Sequence, residues 1–507
     1  MKKTLFSILI GFLFCFNAFS QGTDATIAGM VKDEKGEGIP GASVRVRNES
    51  TGFQTGTLTN VNGEFQLQQL PLGKPYTITV SYLGYQTQKF SDYALNQGDR
   101  LKINAKLLIS STTLSEVVVS ANSFVNKETE RAGAAIAVTA LQMKQLPMEG
   151  RNFTALTALS PLQGRNGSFS GQRTSSTNVT MDGANARNMY TNGAVGNGPY
   201  TISQEAIREY QVSTNNYDVT QGRQGGGSVN AVTKNGTNTM EGSAFFYQRA
   251  SKAKLFGKEL FPMNSKFNAN GTPRTTNINQ KQYGFSLGGA IIKDKLHYFV
   301  ALDRQNETIP FQIAPVFDAT QEQNFGITKV NLEKVIEVAR EKYGMKNTPQ
   351  YGDFSRQTEA NALFMRLDWQ LNDKNKLTFR NNLTTWNSPN STADNSNVNL
   401  LESWIGFKSR ENSALVSLRS ALAPDITNEL KFQYQTVKRN YFVSPDLPEA
   451  SIPRAIITVR SVIPTATNPT ASQTRTVQFG GQRFGTEYAN DKTLHFWQIQ
   501  LIGEKGD

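Results

Sequence analysis

Side chains that could carry out catalysis are few and isolated in this sequence. His297 and His495 each lie alone in a strand-like run, with no second ligand at the spacing of a zinc site. Cys15, the one cysteine, lies in an N-terminal apolar run. The triplet Gly225–Gly227 lacks the Lys-Ser/Thr pair and the helix of a phosphate-binding loop. We therefore expect a protein that is not an enzyme, with no catalytic residues, metal or other cofactor.

Charge and hydropathy narrow the class of protein further. The 507 residues include 53 Lys and Arg against 41 Asp and Glu, which gives a net charge of +12. These charges are scattered and are not clustered among aromatic residues, so nucleic acid is not an expected partner. Beyond the N-terminus, no apolar run is long enough for a membrane helix. Both a soluble protein and a membrane β-barrel fit this pattern.

Residues 1–20 have the order of a secretory signal peptide: Lys2-Lys3, an apolar core, then small residues before Gln21. Phe14 stands where a lipoprotein signal would need a small residue before Cys15. Residues 21–110 follow as short alternating strands between Gly/Pro turns, which predicts a β-sandwich. The turn from Gly36 to Gly41, with the strands beside it, resembles the carboxypeptidase-like regulatory domain, which has a carbohydrate-binding-like fold. This resemblance implies a fold and names no ligand.

The stretch 206–235 contains two strand-like runs, Ile207–Val212 and Val229–Thr233, separated by a polar segment and Gly225–Gly227. Together with Val179-Thr-Met-Asp-Gly183, it resembles the plug domain of TonB-dependent outer-membrane transporters. The residues that match the plug motif are Asp182, Gly183, Ile207, Glu209, Val212, Tyr217, Gly222, Gly225, Gly226, Gly227, Asn230, Thr233 and Lys234. Ser213-Thr214-Asn215 stands where siderophore receptors carry Arg-Gly-Pro, a departure similar to the Oar-like branch of Bacteroidetes. This departure argues against a siderophore as the solute.

The resemblance also implies a plug domain over residues 122–238, with helices near 139–146 and 153–160. It further implies a protein partner, TonB. In this family a short segment before the plug binds TonB, the energy-coupling protein, and residues 111–121 match its position. The residues predicted to contact TonB are Leu114, Glu116, Val117, Val118 and Val119. Binding would add this segment as a strand to the partner's sheet. The alternative is that Val117–Val119 form the first strand of the plug.

Residues 239–507 alternate apolar and polar side chains at period two, which is typical of a membrane β-barrel. The predicted strands lie near 240–249, 280–292, 296–304, 361–371, 376–386, 412–422, 428–441 and 493–502. Long loops are predicted between them at 250–279, 305–360, 387–411 and 443–491. One of these loops carries an amphipathic helix, Asn331–Tyr343, which is either a lid or part of a packed loop subdomain.

The predicted fold is therefore mainly β: a sandwich, an α+β plug and the first part of a membrane barrel. Plugged transporters need about 22 strands, and a barrel of about eight has no room for a plug. We expect a C-terminally truncated chain whose strands form an open, curved sheet around the plug, with unpaired strands at both edges.

The resemblance implies a receptor in the cell outer membrane, in contact with its lipid, that takes up an unidentified extracellular solute with energy from TonB. Sandwich and plug would face the periplasm, and the long loops would face outward. Two alternatives remain open. One is an Oar-like surface protein in adhesion or secretion, without uptake. The other is a secreted carbohydrate-binding β protein.

Overall fold

The fold was obtained as a computed structural model, and it is mainly β, as predicted. The structure describes residues 24–110, 117–120, 129–130, 135–139, 142–143, 160, 162–164, 169, 171–173, 176–187, 202–213, 227–250, 279–314, 316, 318–388, 398–423, 426–443, 454–465, 467–480 and 492–505. The predicted signal peptide and most of the two predicted plug helices lie outside these residues. Within the described ranges, no helix is both long and apolar enough to cross a membrane.

The N-terminal unit is a β-sandwich of two packed sheets. Its strands are β1 (Ala25–Lys32), β2 (Ser43–Asn48), β3 (Gln54–Leu58), β4 (Glu64–Leu70), β5 (Gly73–Ser81), β6 (Gln88–Leu95), β7 (Arg100–Lys106), β8 (Val117–Ser120) and β9 (Thr129–Glu130). One sheet has the order β4-β1-β7-β9 and the other β3-β2-β5-β6-β8. Every second side chain of β7 is buried, as period-two alternation requires for a sheet with one face on a core. Ile27, Val46 and Ile78 are fully buried between the two sheets.

The segment predicted to contact TonB is docked on this sandwich. Val117–Ser120 pairs in parallel with β6, with Val117 opposite Gln88 and Ser120 opposite Ser91. It is therefore an edge strand of the sandwich, and the alternative that it is the first strand of the plug is wrong. Main-chain hydrogen bonds to β6 fix the position of this strand. The alternation of side chains in the sequence cannot show which of two sheets a strand joins. Leu114 and Glu116 lie outside the described residues.

The region predicted to be the plug contains a five-stranded sheet, and we call this region the plug below. Its strands are β10 (Ala135–Thr139), β11 (Asn178–Met181), β12 (Ala184–Asn185), β13 (Ile207–Ser213) and β14 (Ser228–Thr233), in the order β10-β13-β14-β11-β12. The two runs predicted on either side of the glycine triplet are β13 and β14, which pair with each other in antiparallel fashion. All six residues of β14 are buried, because it lies between β13 and β11 at the centre of the sheet.

The remaining strands form one large sheet and one small sheet. They are β15 (Glu241–Ala250), β16 (Asn279–Ile292), β17 (Leu296–Ile313), β18 (Gly352–Asn372), β19 (Asn375–Ser388), β20 (Val398–Asn399), β21 (Ile405–Ala423), β22 (Ile426–Val443), β23 (Ala455–Val462), β24 (Ser472–Phe479) and β25 (Lys492–Lys505). The large sheet, called the barrel sheet below, has the order β15-β16-β17-β18-β19-β21-β22-β25. These are the eight predicted strands. Among the described residues β15 and β25 do not pair with each other, so the sheet is open as expected.

The two faces of the barrel sheet differ in chemistry. Phe285, Leu367, Trp369 and Phe432 point to the outer face and are exposed. Polar side chains at the alternate positions, such as Asp368 and Lys431, are buried on the inner face. An apolar outer face and a polar inner face are typical of strands that cross a membrane.

Several barrel strands are longer than predicted. β17 continues to Ile313 and pairs there with Gly352, the first residue of β18. The prediction ended β17 near residue 304 and began β18 near residue 361, because the apolar alternation does not extend further. Main-chain pairing does not depend on that alternation. At about 3.3 Å per residue, the 21 residues of β18 extend roughly 70 Å, far beyond an apolar band about 25 Å tall.

The long loops pack together into a lobe with its own core. It contains α1 (Ala319–Phe325), α2 (Lys329–Tyr343) and the small sheet β20-β24-β23. The predicted amphipathic helix is α2, which begins after the cap Thr328 and ends at Gly344 in the left-handed conformation. Leu332, Ile336 and Ala339 on its buried face pack in a core with Trp404 and Phe479. The helix is therefore part of a packed loop subdomain.

Candidate functional site at the junction of plug and barrel sheet

The plug motif gathers at one turn and one hairpin. Ile207 and Val212 are buried in β13 and belong to the plug core. Asn230 in β14 accepts a hydrogen bond from the Thr180 hydroxyl, which joins β14 to β11. The motif residues Tyr217, Gly222, Gly225 and Gly226 lie outside the described part of the chain.

Two other motif residues connect the plug to neighbouring units. Glu209 is buried, and its Oε2 accepts a hydrogen bond from the Gln97 backbone N–H of the sandwich at 2.9 Å. Lys234 lies 3.9 Å from Glu205, a buried carboxylate that also accepts from Ser243 of β15. The plug motif therefore includes positions that hold the plug between the sandwich and the barrel sheet.

The β11–β12 turn is formed by Asp182 and Gly183, both at positive φ. A non-glycine residue there must be held by its surroundings, and Asp tolerates this conformation better than most. Asp182 Oδ1 accepts from the Thr233 N–H, and Oδ2 accepts from the Thr233 hydroxyl, both at 2.9 Å. The turn of one motif segment is thus fixed to the last residue of β14.

Two arginines of the barrel sheet complete the surroundings of Asp182. Arg380 in β19 is 1% exposed, and its Nη1 donates to Asp182 Oδ2 at 2.7 Å and to the Met181 carbonyl at 2.9 Å. Arg366 in β18 lies 3.7 Å from Asp182 Oδ1, and its Nη1 donates to the Thr233 hydroxyl at 2.9 Å. The plug carboxylate therefore pairs with charges from two neighbouring strands of the barrel sheet.

A second carboxylate orients Arg366 from the barrel side. Asp368 accepts from Arg366 Nε at 2.7 Å and from Nη2 at 3.0 Å, a bidentate arrangement that fixes the guanidinium plane. Lys376 Nζ lies 3.0 Å from the same carboxylate. We call these six residues the Asp182 cluster: Asp182, Thr233, Arg366, Asp368, Lys376 and Arg380.

Burial alone would raise the pKa of Asp182. The guanidinium groups of Arg380 and Arg366, with the hydrogen bond from the Thr233 N–H, outweigh it and hold the pKa below its usual value. The carboxylate therefore stays ionised at neutral pH. This arrangement stabilises the plug against the barrel sheet.

A second ion cluster joins the barrel sheet to the sandwich. Asp24, just before β1, accepts from Arg419 Nη2 of β21 at 2.6 Å. Glu429 of β22 lies 3.4 Å from the same guanidinium and 3.0 Å from Lys431 Nζ. The Ser417 hydroxyl donates to Glu429 at 2.6 Å. The sandwich is thus tied to the inner face of the barrel sheet by a charge from each side.

Between these two clusters lies a cavity where sandwich, plug and barrel sheet meet, which we call the junction cavity. It measures about 80 Å³, which is room for several water molecules. Its ionisable lining residues are Asp24, Asp182, Arg208, Arg366, Lys376, Arg419, Glu429 and Lys431.

The sequence analysis found the plug residues of this site but not their partners. In the sequence, four of these partners are only polar positions of the period-two alternation: Arg366, Asp368, Glu429 and Lys431. Opposite charges lie two residues apart on the same face of one strand in two pairs: Arg366 with Asp368, and Glu429 with Lys431. That spacing was the available signal for an inward-facing ion ladder. Arg380 gave no such signal, because its partner lies 198 residues away.

The histidines take part in local contacts. His297 Nε2 lies 3.0 Å from Asn238 Oδ1, and His495 Nδ1 lies 2.6 Å from the Tyr434 hydroxyl. In the ranges that the structure describes, no three His, Cys, Asp or Glu side chains gather as they would around a metal ion.

Comparison with known families identifies the two large units. Residues 26–108 match the carboxypeptidase regulatory-like domain, and residues 232–501, more than half of the chain, match the outer membrane beta barrel domain. The TonB-dependent transporter Oar of Myxococcus xanthus is 28% identical over 321 residues, which cover 59% of this chain and 28% of Oar. The chain belongs to the family of the outer membrane beta barrel domain. A protein with this domain is located in the outer membrane.

Two other similar proteins are a receptor and an outer membrane transporter of known structure. The TonB-dependent receptor SusC of Bacteroides thetaiotaomicron is 33% identical over 138 residues, which cover 27% of this chain and 12% of SusC. The outer membrane transporter YddB from Escherichia coli has 11% identity and a TM-score of 0.46, and the match covers 73% of this chain and 45% of YddB. The chain spans less than a third of the length of either curated relative.

Proposed function

We propose that this receptor takes up a solute across the outer membrane with energy supplied through TonB. The observation that carries the proposal is the plug held against the inner face of the barrel sheet by the Asp182 cluster. The plug core also includes Phe299 and Phe364 of the barrel sheet. A plug bound in this way closes the path through the barrel, and opening it requires work.

The docked segment Val117–Ser120 supports a route for that work. It is a short strand at the edge of a sheet, and an edge strand can pair with a second protein through its main chain. The relatives Oar and SusC are both named as TonB-dependent, which supports TonB as the partner. A pull on this segment would be transmitted along the chain toward β10 and the plug.

A test of uptake does not require the solute to be known in advance. Cells with and without the gene are grown in rich medium, and the small molecules that remain are compared by mass spectrometry. We expect at least one solute to be depleted by the wild type alone, and its depletion to stop when a proton uncoupler is added. Equal depletion by both strains, or depletion that the uncoupler leaves unchanged, would contradict the proposal.

A second candidate is a surface protein without uptake, and the loop lobe favours it. Extensions of β17 and β18 lead to the lobe, which has its own core and presents Ile456 and Val462 of β23 to solvent. Such a rigid, partly apolar surface suits attachment to another macromolecule. Loss of cell attachment on deletion of residues 318–351, with solute depletion unchanged, would support this role in place of uptake.

A further inference from the structure

The junction cavity has an excess of positive charge that its own acids do not neutralise. Its lining includes five cationic side chains and three anionic ones. Each of the three acids already has a cation from the barrel sheet: Asp182 pairs with Arg380, and both Asp24 and Glu429 pair with Arg419. Asp368, behind the lining, pairs with Arg366 and Lys376.

Arg208 of β13 is the cation whose hydrogen bonds go to neutral acceptors alone. Its Nη1 donates to the Leu72 carbonyl of the sandwich at 2.6 Å and to Asn235 Oδ1 at 3.4 Å. Both acceptors are neutral, and among the described residues no carboxylate lies within 4.0 Å of the Arg208 guanidinium. Burial lowers the pKa of Arg208, and the carboxylate of its chain neighbour Glu209 opposes this shift without cancelling it.

A charge placed in this way is costly unless something else compensates it. Burial of an ionised group is unfavourable until it is paired and hydrogen-bonded. The remaining N–H groups of a guanidinium present a planar fork that matches two oxygens of a carboxylate or a phosphate. The cavity beside Arg208 has room for a group of that size.

We propose that the junction cavity binds a small oxyanion, a phosphate or a carboxylate, with Arg208 as its principal ligand. The site is independent of the uptake proposed above, because it rests only on the charge and shape of the junction. Leu72 belongs to the sandwich and Asn235 to the end of the plug, so an anion on Arg208 would strengthen the contact between these two units.

The test measures thermal unfolding of the full chain in detergent while inorganic phosphate replaces chloride at constant ionic strength. We expect a saturable rise in the transition temperature of the wild type. In Arg208→Gln, the phosphate concentration that gives half of this rise should increase at least tenfold. Arg45→Gln is the matched control, since Arg45 lies on β2 with an exposed side chain, and it should respond as the wild type does. A parallel titration with acetate distinguishes phosphate from carboxylate as the preferred anion.

Two results would overturn the proposal: no rise in the wild type, or an equal rise in Arg208→Gln. If Arg208→Gln does not fold, Arg208→Lys keeps the charge without the planar fork, and we expect it to fold and to bind phosphate more weakly. Anomalous diffraction from crystals soaked in selenate provides a direct location. Density beside Arg208 supports the site, and selenate found only elsewhere refutes it.

Discussion

Asp182 shows how single residues hold the plug. Its carboxylate has lowered pKa, so the stability that it contributes is present above the ordinary Asp value of 3.8 and is lost as the pH falls through the lowered value. The plug contacts made by Asp182 are therefore fully charged at neutral and weakly acidic pH. At physiological pH the contacts of Asp182 are therefore removed only by a substitution.

We expect Asp182→Asn to loosen the plug. The substitution preserves the side-chain shape but leaves Arg380 buried without its anion, and breaking a buried pair in this way costs about 3–5 kcal/mol. The measurement is the sensitivity of cells to a bulky hydrophilic antibiotic that a closed plug excludes. Sensitivity should rise in Asp182→Asn and stay unchanged in Asp373→Asn, an exposed carboxylate in a turn. Equal sensitivity in both variants would show that the Asp182 cluster does not keep the plug closed.

A glycine triplet such as Gly225–Gly227 is typical of a turn at positive φ, where a bulky side chain would be strained. Gly225 and Gly226 lie outside the described residues, and the structure gives a different reason at Gly227. A Cβ on Gly227 would lie 2.7 Å from the ring of Phe169, which is 1% exposed in the plug core. The constraint at Gly227 is a close approach to a side chain.

Gly227→Val should therefore displace Phe169 and disturb the start of β14. Overpacking of a core costs about 1–3 kcal/mol, and the plug should become more accessible to protease in isolated outer membranes. The double variant Gly227→Val with Phe169→Ala makes room for the new side chain and should regain part of the lost protection. If Gly227→Val is as protected as the wild type, Phe169 does not pack against this glycine as described.

Strands and their partners were predictable to different degrees. Period-two alternation located all eight strands of the barrel sheet, and the amphipathic spacing of apolar residues located α2. The same alternation missed the last residues of β17 and the first residues of β18, where pairing continues without an apolar face. It also gave no information on the partner of Val117–Ser120, because a short apolar run can join any free sheet edge.

We expect Val117→Pro to abolish energised uptake while the protein remains in the outer membrane. Proline lacks the N–H that strand pairing needs, whether the partner is β6 or a strand of TonB. The measurements are solute depletion and binding of the TonB C-terminal domain to a synthetic peptide of residues 111–121. Val117→Ala keeps the N–H and serves as the control. Normal uptake in Val117→Pro would show that this segment is a sandwich strand alone.

At the scale of the whole molecule, the outer face of the barrel sheet determines where the protein resides. Its exposed aromatic and aliphatic side chains recur on neighbouring strands, from Tyr283 through Trp369 to Phe432 and Trp497. The sequence predicted this face and the open sheet, because alternation and strand count depend only on local pattern. It could not predict the ion pairs between units, because they join residues hundreds of positions apart.

Phe432→Arg should reduce the amount of protein assembled in the outer membrane. Phe432 is 46% exposed on the outer face, and an arginine facing lipid near the midplane costs about 2–4 kcal/mol. Phe432→Leu keeps an apolar side chain and should assemble at the wild-type level. The readout is the quantity of receptor in the outer-membrane fraction. An unchanged quantity in Phe432→Arg would place this residue away from lipid.

The positions of the core residues along the chain also indicate an order of folding. The sandwich core consists of residues between 25 and 107 and of Val232, so it can form early during folding. The plug core is completed by Phe299, Ala301 and Phe364 of the barrel sheet, and Asp182 meets Arg380 only across 198 residues. Contacts so distant along the chain form late, because closing a long loop costs entropy before any contact compensates it. A newly exported chain would therefore carry a finished sandwich and an unfinished plug until the barrel sheet assembles around it.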